Sequence, residues 1–256
     1  MIEKRVWFKD KLGKKVCSVL TLPSLDENQP CVILLHGLGT SKESNTYVSM
    51  AKLLCEENIS SIRIDMYAHG ESQGRFIDMN LLTCMGSVKA ALSYLKKSKF
   101  IDKKRIGILG SSLGGSVAFK SVLDSKLKTG VLFCPVSDYV ELFKQNYFGT
   151  SLIDWKEKGF LIRKLAGKDS KLGYNFYKEG IKLDAYNIAK KIKSPVLIVH
   201  GDKDINVPVS QSEKLIKFLP NPKKLVIING ADHYFKVKKH RLSRHNEAIS
   251  WFLRYL

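Results

Sequence analysis

The run GILGSSLGGSVAF, residues 107–119, places two adjacent serines among glycines. Only one of them fits G-x-S-x-G. Gly110 and Gly114 flank Ser112 two residues away on either side, whereas Ser111 has Leu109 and Leu113 at those places. Small residues there let the chain bend sharply from a strand into a helix. The serine is left exposed at the bend, next to free helix N–H groups that favour negative charge. Such a hydroxyl can attack a carbonyl, provided a base takes its proton. The chain has six histidines, and His233 in INGADHYF fits the base best because it follows the last strand signal. His200 ends a buried strand and reads as structural. His240 and His245 sit in a basic tail and read as solvated surface. His36 and His69 precede glycines in loops before the serine, where they could line the site. The base needs an acid to orient it and to stabilise the imidazolium. HGDKDINVP offers Asp202 and Asp204, and either could reach His233 from the loop after the preceding strand.

The elements that must position these groups alternate along the chain. Residues 14–23 alternate as an early antiparallel strand does, and CVILLHG, residues 31–37, is an apolar run of the kind buried on both faces of a sheet. Strand signals recur at 59–65, 105–109, 130–134, 194–201 and 223–229. Helical patterns lie at 46–58, 79–97, 112–123, 209–218 and the C-terminus. This rhythm predicts an α/β fold with a mainly parallel sheet and helices on both faces. Active groups of such sheets sit on loops at the carboxyl ends of the strands, where Ser112, Asp204 and His233 all fall. The rhythm breaks over residues 136–191, which have no strong strand signal and are rich in aromatic residues, among them Tyr139 and Tyr147. The domain expectation is a core of residues 1–135 and 192–256 with an inserted cap at 136–191. Most of the cap's aromatics are expected to form its own small core, while Asp138 and Tyr139, just after a strand, are expected to face substrate.

Several stretches together resemble the α/β-hydrolase superfamily of serine esterases, over nearly the whole chain. LLHGLGTSK resembles the histidine-glycine oxyanion loop, GSSLGG the nucleophile elbow, VLIVHGDKDINVPVSQSEKL the acid loop and INGADHYF the histidine loop. RIDMYAHGESQG resembles the D-x-x-G-x-G-x-S segment, departing from it around Ala68 and His69. The short cap and the G-A-D-H ending look most like bacterial carboxylesterases of the cinnamoyl- and feruloyl-esterase type. The resemblance implies the order Ser112, Asp204, His233 for the triad, which selects Asp204 over Asp202. It also implies an oxyanion hole from the backbone N–H groups of Leu38 and Leu113. The position of Leu113 at a helix N-terminus supports that role independently.

Composition narrows the class. The chain has 256 residues, 44% of them hydrophobic, enough for one globular domain with an insertion. No apolar run is long enough to span a membrane, and the charged N-terminus does not resemble a signal peptide. Five scattered cysteines without a C-x-x-C pair read as reduced, buried thiols of a cytoplasmic protein, and they lack zinc-ligand spacing. The formal charge of +19 is spread along the chain without a nucleic-acid docking motif, and reads as a lysine-rich solvated surface. The expectation is a carboxylesterase-type serine hydrolase acting on a small-molecule ester through an acyl-enzyme, with no cofactor and no metal. The same triad would also suit a thioesterase, a monoacylglycerol lipase or a peptidase. A non-catalytic ligand-binding protein of the same fold and a nucleic-acid binder are the rivals of another class. The oligomeric state stays open, a homodimer included.

Overall fold

Strand β3 explains why this chain builds a sheet buried on both sides. In the computed structural model, which describes residues 1–125, 127–144, 148–149, 151–165 and 167–256, Cys31, Ile33 and Leu35 enter one apolar cluster. Val32 and Leu34 enter a second cluster on the opposite face. Side chains alternate along a strand, so a continuous apolar run is stable only with cover on both sides.

In chain order the elements begin with β1 (Ile2–Lys9), β2 (Lys15–Leu22), β3 (Gln29–Leu35), α1 (Asn45–Glu56), β4 (Ser60–Ile64), α2 (Leu81–Leu95), β5 (Ile101–Ser111), α3 (Leu113–Ser125) and β6 (Gly130–Phe133). They continue with α4 (Tyr139–Lys144), α5 (Leu152–Lys158), β7 (Phe160–Leu165), β8 (Lys168–Gly173), α6 (Tyr174–Gly180) and α7 (Ala185–Ala189). The chain closes with β9 (Val196–Gly201), α8 (Val209–Phe218), β10 (Lys223–Ile228) and α9 (Lys238–Tyr255). The main sheet has the order β1-β2-β4-β3-β5-β6-β9-β10. Strand β2 is antiparallel to both neighbours and all later pairs are parallel. Helices α1 and α9 cover one face, and α2, α3 and α8 cover the other. This is the mainly parallel sheet covered on both faces that the alternating pattern predicts, and it fits the α/β-hydrolase fold that the resemblance implies.

Three features depart from the sequence reading. The N-terminal segment forms an edge strand, β1, paired along its length with β2. Only Val6 in it is buried, so its apolar signal is weak. The segment between β6 and β9 contains an antiparallel hairpin, β7–β8, where no strand is expected. Its strands carry arginine, lysines and an aspartate, and only Leu161 and Leu172 among the apolar side chains are well buried. Trp155 locks the hairpin by donating its indole N–H to the Leu172 carbonyl at 3.1 Å. Tyr147 lies outside the described residues. The third departure is the basic tail, which folds into the first half of α9. Arg244 and His245 are buried there. Arg244 precedes Ala248, Trp251 and Phe252 by four, seven and eight residues, so it shares the helix face that packs on the sheet.

The bend between β5 and α3 is tight. Ser112 has φ +54°, in the left-handed region where a side chain is strained. The flanking glycines make room for it. A Cβ on Gly110 would strike the Gly114 carbonyl, one on Gly114 would lie 2.6 Å from the Leu35 carbonyl oxygen, and one on Gly115 would lie 2.9 Å from Pro135 Cα. Each contact is with backbone or a proline ring, which cannot swing aside. Gly114→Ala is expected to cost about 1–3 kcal/mol through overpacking, lowering Tm by roughly 2–4 °C per kcal/mol. Thermal unfolding checks this, and an unchanged Tm would show that α3 shifts freely.

Candidate active site

Ser112 sits at the carboxyl end of β5, its backbone N–H held by the Phe133 carbonyl at 2.9 Å. The loop after β3 passes beside it, since a Cβ on Gly37 would lie 3.6 Å from Ser112 Cβ. Leu38 on that loop and Leu113 at the start of α3 have backbone N–H groups with no acceptor among the described residues. Leu113 is the first residue of its helix, where the N–H has no intrahelical partner. Ser111 is the last residue of β5 and keeps an extended backbone, so the left-handed residue is the serine chosen by the glycine spacing.

Asp204 and His233 come together from the loops after β9 and β10. His233 Nδ1 donates to Asp204 Oδ2 at 2.6 Å. An ionised carboxylate can only accept, so the Nδ1 proton is assigned and Nε2 is left unprotonated. His233 and Ser112 line the same cavity, and the hydrogen bond between them is not formed in this conformation. Asp204 is well solvated by protein. Its Oδ1 accepts the N–H groups of Asn206 and Val207 at 2.9 and 2.8 Å. Burial opposes its ionisation, but hydrogen bonds from His200, His233 and Val207 outweigh burial and hold its carboxyl well below the usual range. Asp202 instead accepts the Gly230 N–H at 2.6 Å and braces the histidine loop.

The sequence reading missed the second histidine on this acid. His200 Nε2 lies 3.1 Å from Asp204 Oδ2 and 3.0 Å from the Val207 carbonyl, and Ser212 Oγ lies 2.7 Å from Nδ1. Two acceptors at Nε2 fix its proton there, so Ser212 donates to Nδ1. Asp204 Oδ2 thus takes a hydrogen bond from each histidine. The only sequence signal was the placement of His200 four residues before Asp204 in VHGDKD.

Two spaces meet at Ser112. A cavity of about 110 Å³ is lined by Tyr47, Ser111, Ser112, His233 and Arg244, among others. A separate apolar crevice of about 20 Å³ lies between Leu38, Leu113, Tyr139, Leu142 and Phe176. Tyr139 therefore lines the same crevice as Ser112. Its hydroxyl donates to Ser116 Oγ at 3.2 Å. Asp138 lines neither space. Its Oδ1 caps α4 by accepting the Glu141 N–H at 2.9 Å. A larger groove of about 650 Å³, near Lys11, Asn80 and Lys120, holds none of these groups. Cys134, His200 and Asp204 bring three metal-ligand atoms together, but the acid and histidine are already hydrogen-bonded and burial pushes the Cys134 thiol well above its usual range. All five cysteines are buried and unpaired.

His36 does not line the site as expected. It is fully buried. Its Nδ1 donates to the Gly37 carbonyl at 2.8 Å, and its Nε2 accepts the Met66 N–H at 3.0 Å. His69 does the reciprocal work: Nδ1 donates to the Tyr67 carbonyl at 3.0 Å and Nε2 accepts the Gly39 N–H at 3.2 Å. The two rings thus tie the loop after β3 to the loop after β4. Asp65 strengthens the tie. Its carboxylate accepts the Lys42 N–H and Lys42 Nζ, both at 2.8 Å, and the Glu71 N–H at 2.9 Å. Burial would lower the Lys42 pKa, but hydrogen bonds to Asp65 and Glu71 raise it above the usual range. Ala68 stands where the related motif has glycine, and it adopts φ +59°.

Burial, aided by mutual repulsion and by Lys42, lowers the pKa of His36 to about 4 and of His69 to about 3. Both are depressed below their ordinary value of 6.5. The unfolded chain therefore binds their protons first. Stability is level above pH 6.5 and falls as pH drops from 6.5 toward 4, by about 1.4 kcal/mol per pH unit for each histidine. Urea unfolding between pH 7.5 and 5 measures this, and a constant midpoint would contradict it. Lys42→Met leaves Asp65 buried without its counter-charge and is expected to lower stability by about 3 kcal/mol or more, with a parallel loss of activity as the loop carrying Leu38 loosens. Denaturant melts and turnover assays check both.

Residues 83–256 match the prolyl oligopeptidase family, and residues 1–150 match the FrsA-like esterases. The chain is 26% identical over 243 residues to the putative esterase YitV of Bacillus subtilis, covering 89% of each chain. It is 24% identical to the uncharacterized peptidase YuxL of the same organism, spanning all of this chain and 39% of that one. Among solved structures, Est1E from Butyrivibrio proteoclasticus, bound to ferulic acid, superposes with a TM-score of 0.81 at 26% identity over 97% of this chain and 98% of that one. Among the described residues no helix is long and apolar enough to cross a membrane. Each family match spans more than half of the sequence, and the fold agrees from end to end: the chain belongs to the α/β-hydrolases, within the overlapping prolyl oligopeptidase and FrsA-like esterase families.

Proposed function

We propose that the protein is a serine carboxylesterase working through an acyl-enzyme. The observation that carries this reading is Ser112 at its left-handed bend, sharing a cavity with His233, whose Nδ1–H is held 2.6 Å from Asp204. His233 Nε2 takes the Ser112 proton as Oγ attacks the ester carbonyl. Asp204 holds the tautomer and stabilises the imidazolium, and His200 steadies Asp204. The N–H groups of Leu38 and Leu113 receive the tetrahedral oxyanion, where one donor contributes about 2.7–4 kcal/mol. His233 then protonates the leaving alcohol. Water, activated by the same nitrogen, releases the acid and restores Ser112. No step needs a metal or an organic cofactor.

Residues 136–191 act as a cap over the acyl side. Leu165 packs on Gly39, and Tyr139, Leu142 and Phe176 wall the apolar crevice. That crevice has room for little more than one water-sized group, which favours short acyl chains over a hydroxycinnamoyl group. Putting the protein in the cytoplasm rests on its cysteine usage.

A fluorophosphonate probe is expected to label the protein and not Ser112→Ala, whose esterase rate falls by about a thousandfold or more. Full activity in that variant would sink the reading. In a nitrophenyl ester series, acetyl and propionyl esters are expected to exceed octanoyl by about tenfold in kcat/KM. Faster turnover of an aminoacyl amide than of any ester would move the activity to the peptidases.

A further inference from the structure

Arg244 carries a charge that the proposed chemistry leaves unused. It is 3% exposed, yet no carboxylate lies within ion-pair distance among the described residues. Its guanidinium carbon lies over two rings, 4.7 Å from the Phe133 centroid and 4.5 Å from that of Phe235. A guanidinium has five N–H donors. Here Nη2 donates to Thr46 Oγ1 at 3.2 Å and to His245 Nε2 at 3.1 Å, and Nε, fully buried, has no acceptor. A buried cation so short of acceptors is costly unless something completes it. The residue lines the same cavity as Ser112 and His233.

We propose that Arg244 binds a carboxylate on the leaving group of the substrate, making the protein a hydrolase for short-chain esters of small hydroxy acids. This rests on the reading of Ser112 and His233 as nucleophile and base. His233 must reach the leaving oxygen to protonate it, so the cavity it shares with Arg244 belongs to the leaving group. The acyl chain takes the separate apolar crevice that Ser112 also lines. At about 110 Å³ the cavity suits a planar carboxylate one or two carbons from the leaving oxygen. With Nη2 engaged and Nε buried, Nη1, which has no acceptor among the described residues, is the nitrogen left to give a charge-assisted hydrogen bond to a carboxylate. The formal charge of +19 draws anions toward the molecule as a whole.

The test is calorimetric binding of propionyloxyacetate and its neutral carboxamide, propionyloxyacetamide, to Ser112→Ala protein. The carboxylate is expected to bind at least about tenfold more tightly. That preference should collapse when Arg244→Gln is added and survive in part with Arg244→Lys. Equal affinities in the Ser112→Ala protein overturn the proposal, and this comparison needs no change at the buried arginine. Turnover by the wild-type protein separates the two claims. Selective binding without hydrolysis of either compound would sink the esterase reading while supporting the carboxylate site. Hydrolysis of both at equal kcat/KM would support the esterase and overturn the site.

Discussion

The left-handed backbone of Ser112 is the constraint around which the site is arranged. A residue with a side chain adopts φ +54° only where its surroundings hold it there. Here β5 delivers the chain on one side, α3 carries it away on the other, and Phe133 on β6 fixes the N–H between them. Glycines at 110, 114 and 115 let α3 approach β3 and Pro135 closely enough to make the bend. The same approach brings Gly37 beside Ser112 and leaves Leu38 and Leu113 with free N–H groups. One strained residue therefore sets the positions of both the proposed nucleophile and the proposed oxyanion donors.

The loops around that bend are held by polar groups, and each arrangement depends on ionisation. His36 and His69 must be neutral to accept backbone N–H groups, and burial keeps them so. Asp65 must be charged to gather Lys42 and two backbone donors. Asp204 repeats the logic with two histidines and two backbone N–H groups. These networks face little solvent, so their donors and acceptors are matched almost one to one. The low-dielectric setting strengthens each satisfied bond and would penalise any orphan heavily. Arg244 stands out against that pattern because its donors outnumber its acceptors.

Much of this was legible in the amino-acid order. The β9 and β10 runs, the α8 pattern and the glycine spacing around Ser112 are local signals, and the elements formed where those signals lie. The proposed base and the two candidate acids, Asp202 and Asp204, were legible because they fall in short loops at strand ends, which a parallel sheet brings side by side; the resemblance chose between the acids. The β7–β8 hairpin was not legible. Its strands carry charges on the solvent side and bury only a few residues against Trp155, so no periodic run announces them. The edge strand β1 escaped for the same reason.

The sequence by itself determined the alternation of strands and helices, the bend at Ser112 and the placement of Asp202, Asp204 and His233 in loops at strand ends. These follow from periodicity and from turn chemistry, which act over a few residues. Only the tertiary structure decided which histidines are buried as loop ties, which one supports Asp204, and that Arg244 lies over two rings and lines the same cavity as Ser112. Arg244 and His245 read as surface because they stand in a basic run. Their burial depends on which face of α9 meets the sheet, and the Arg244 environment on Phe133 arriving from a distant part of the chain to join the nearby Phe235. The environment of a charge is a property of what surrounds it in space, and no local pattern encodes that.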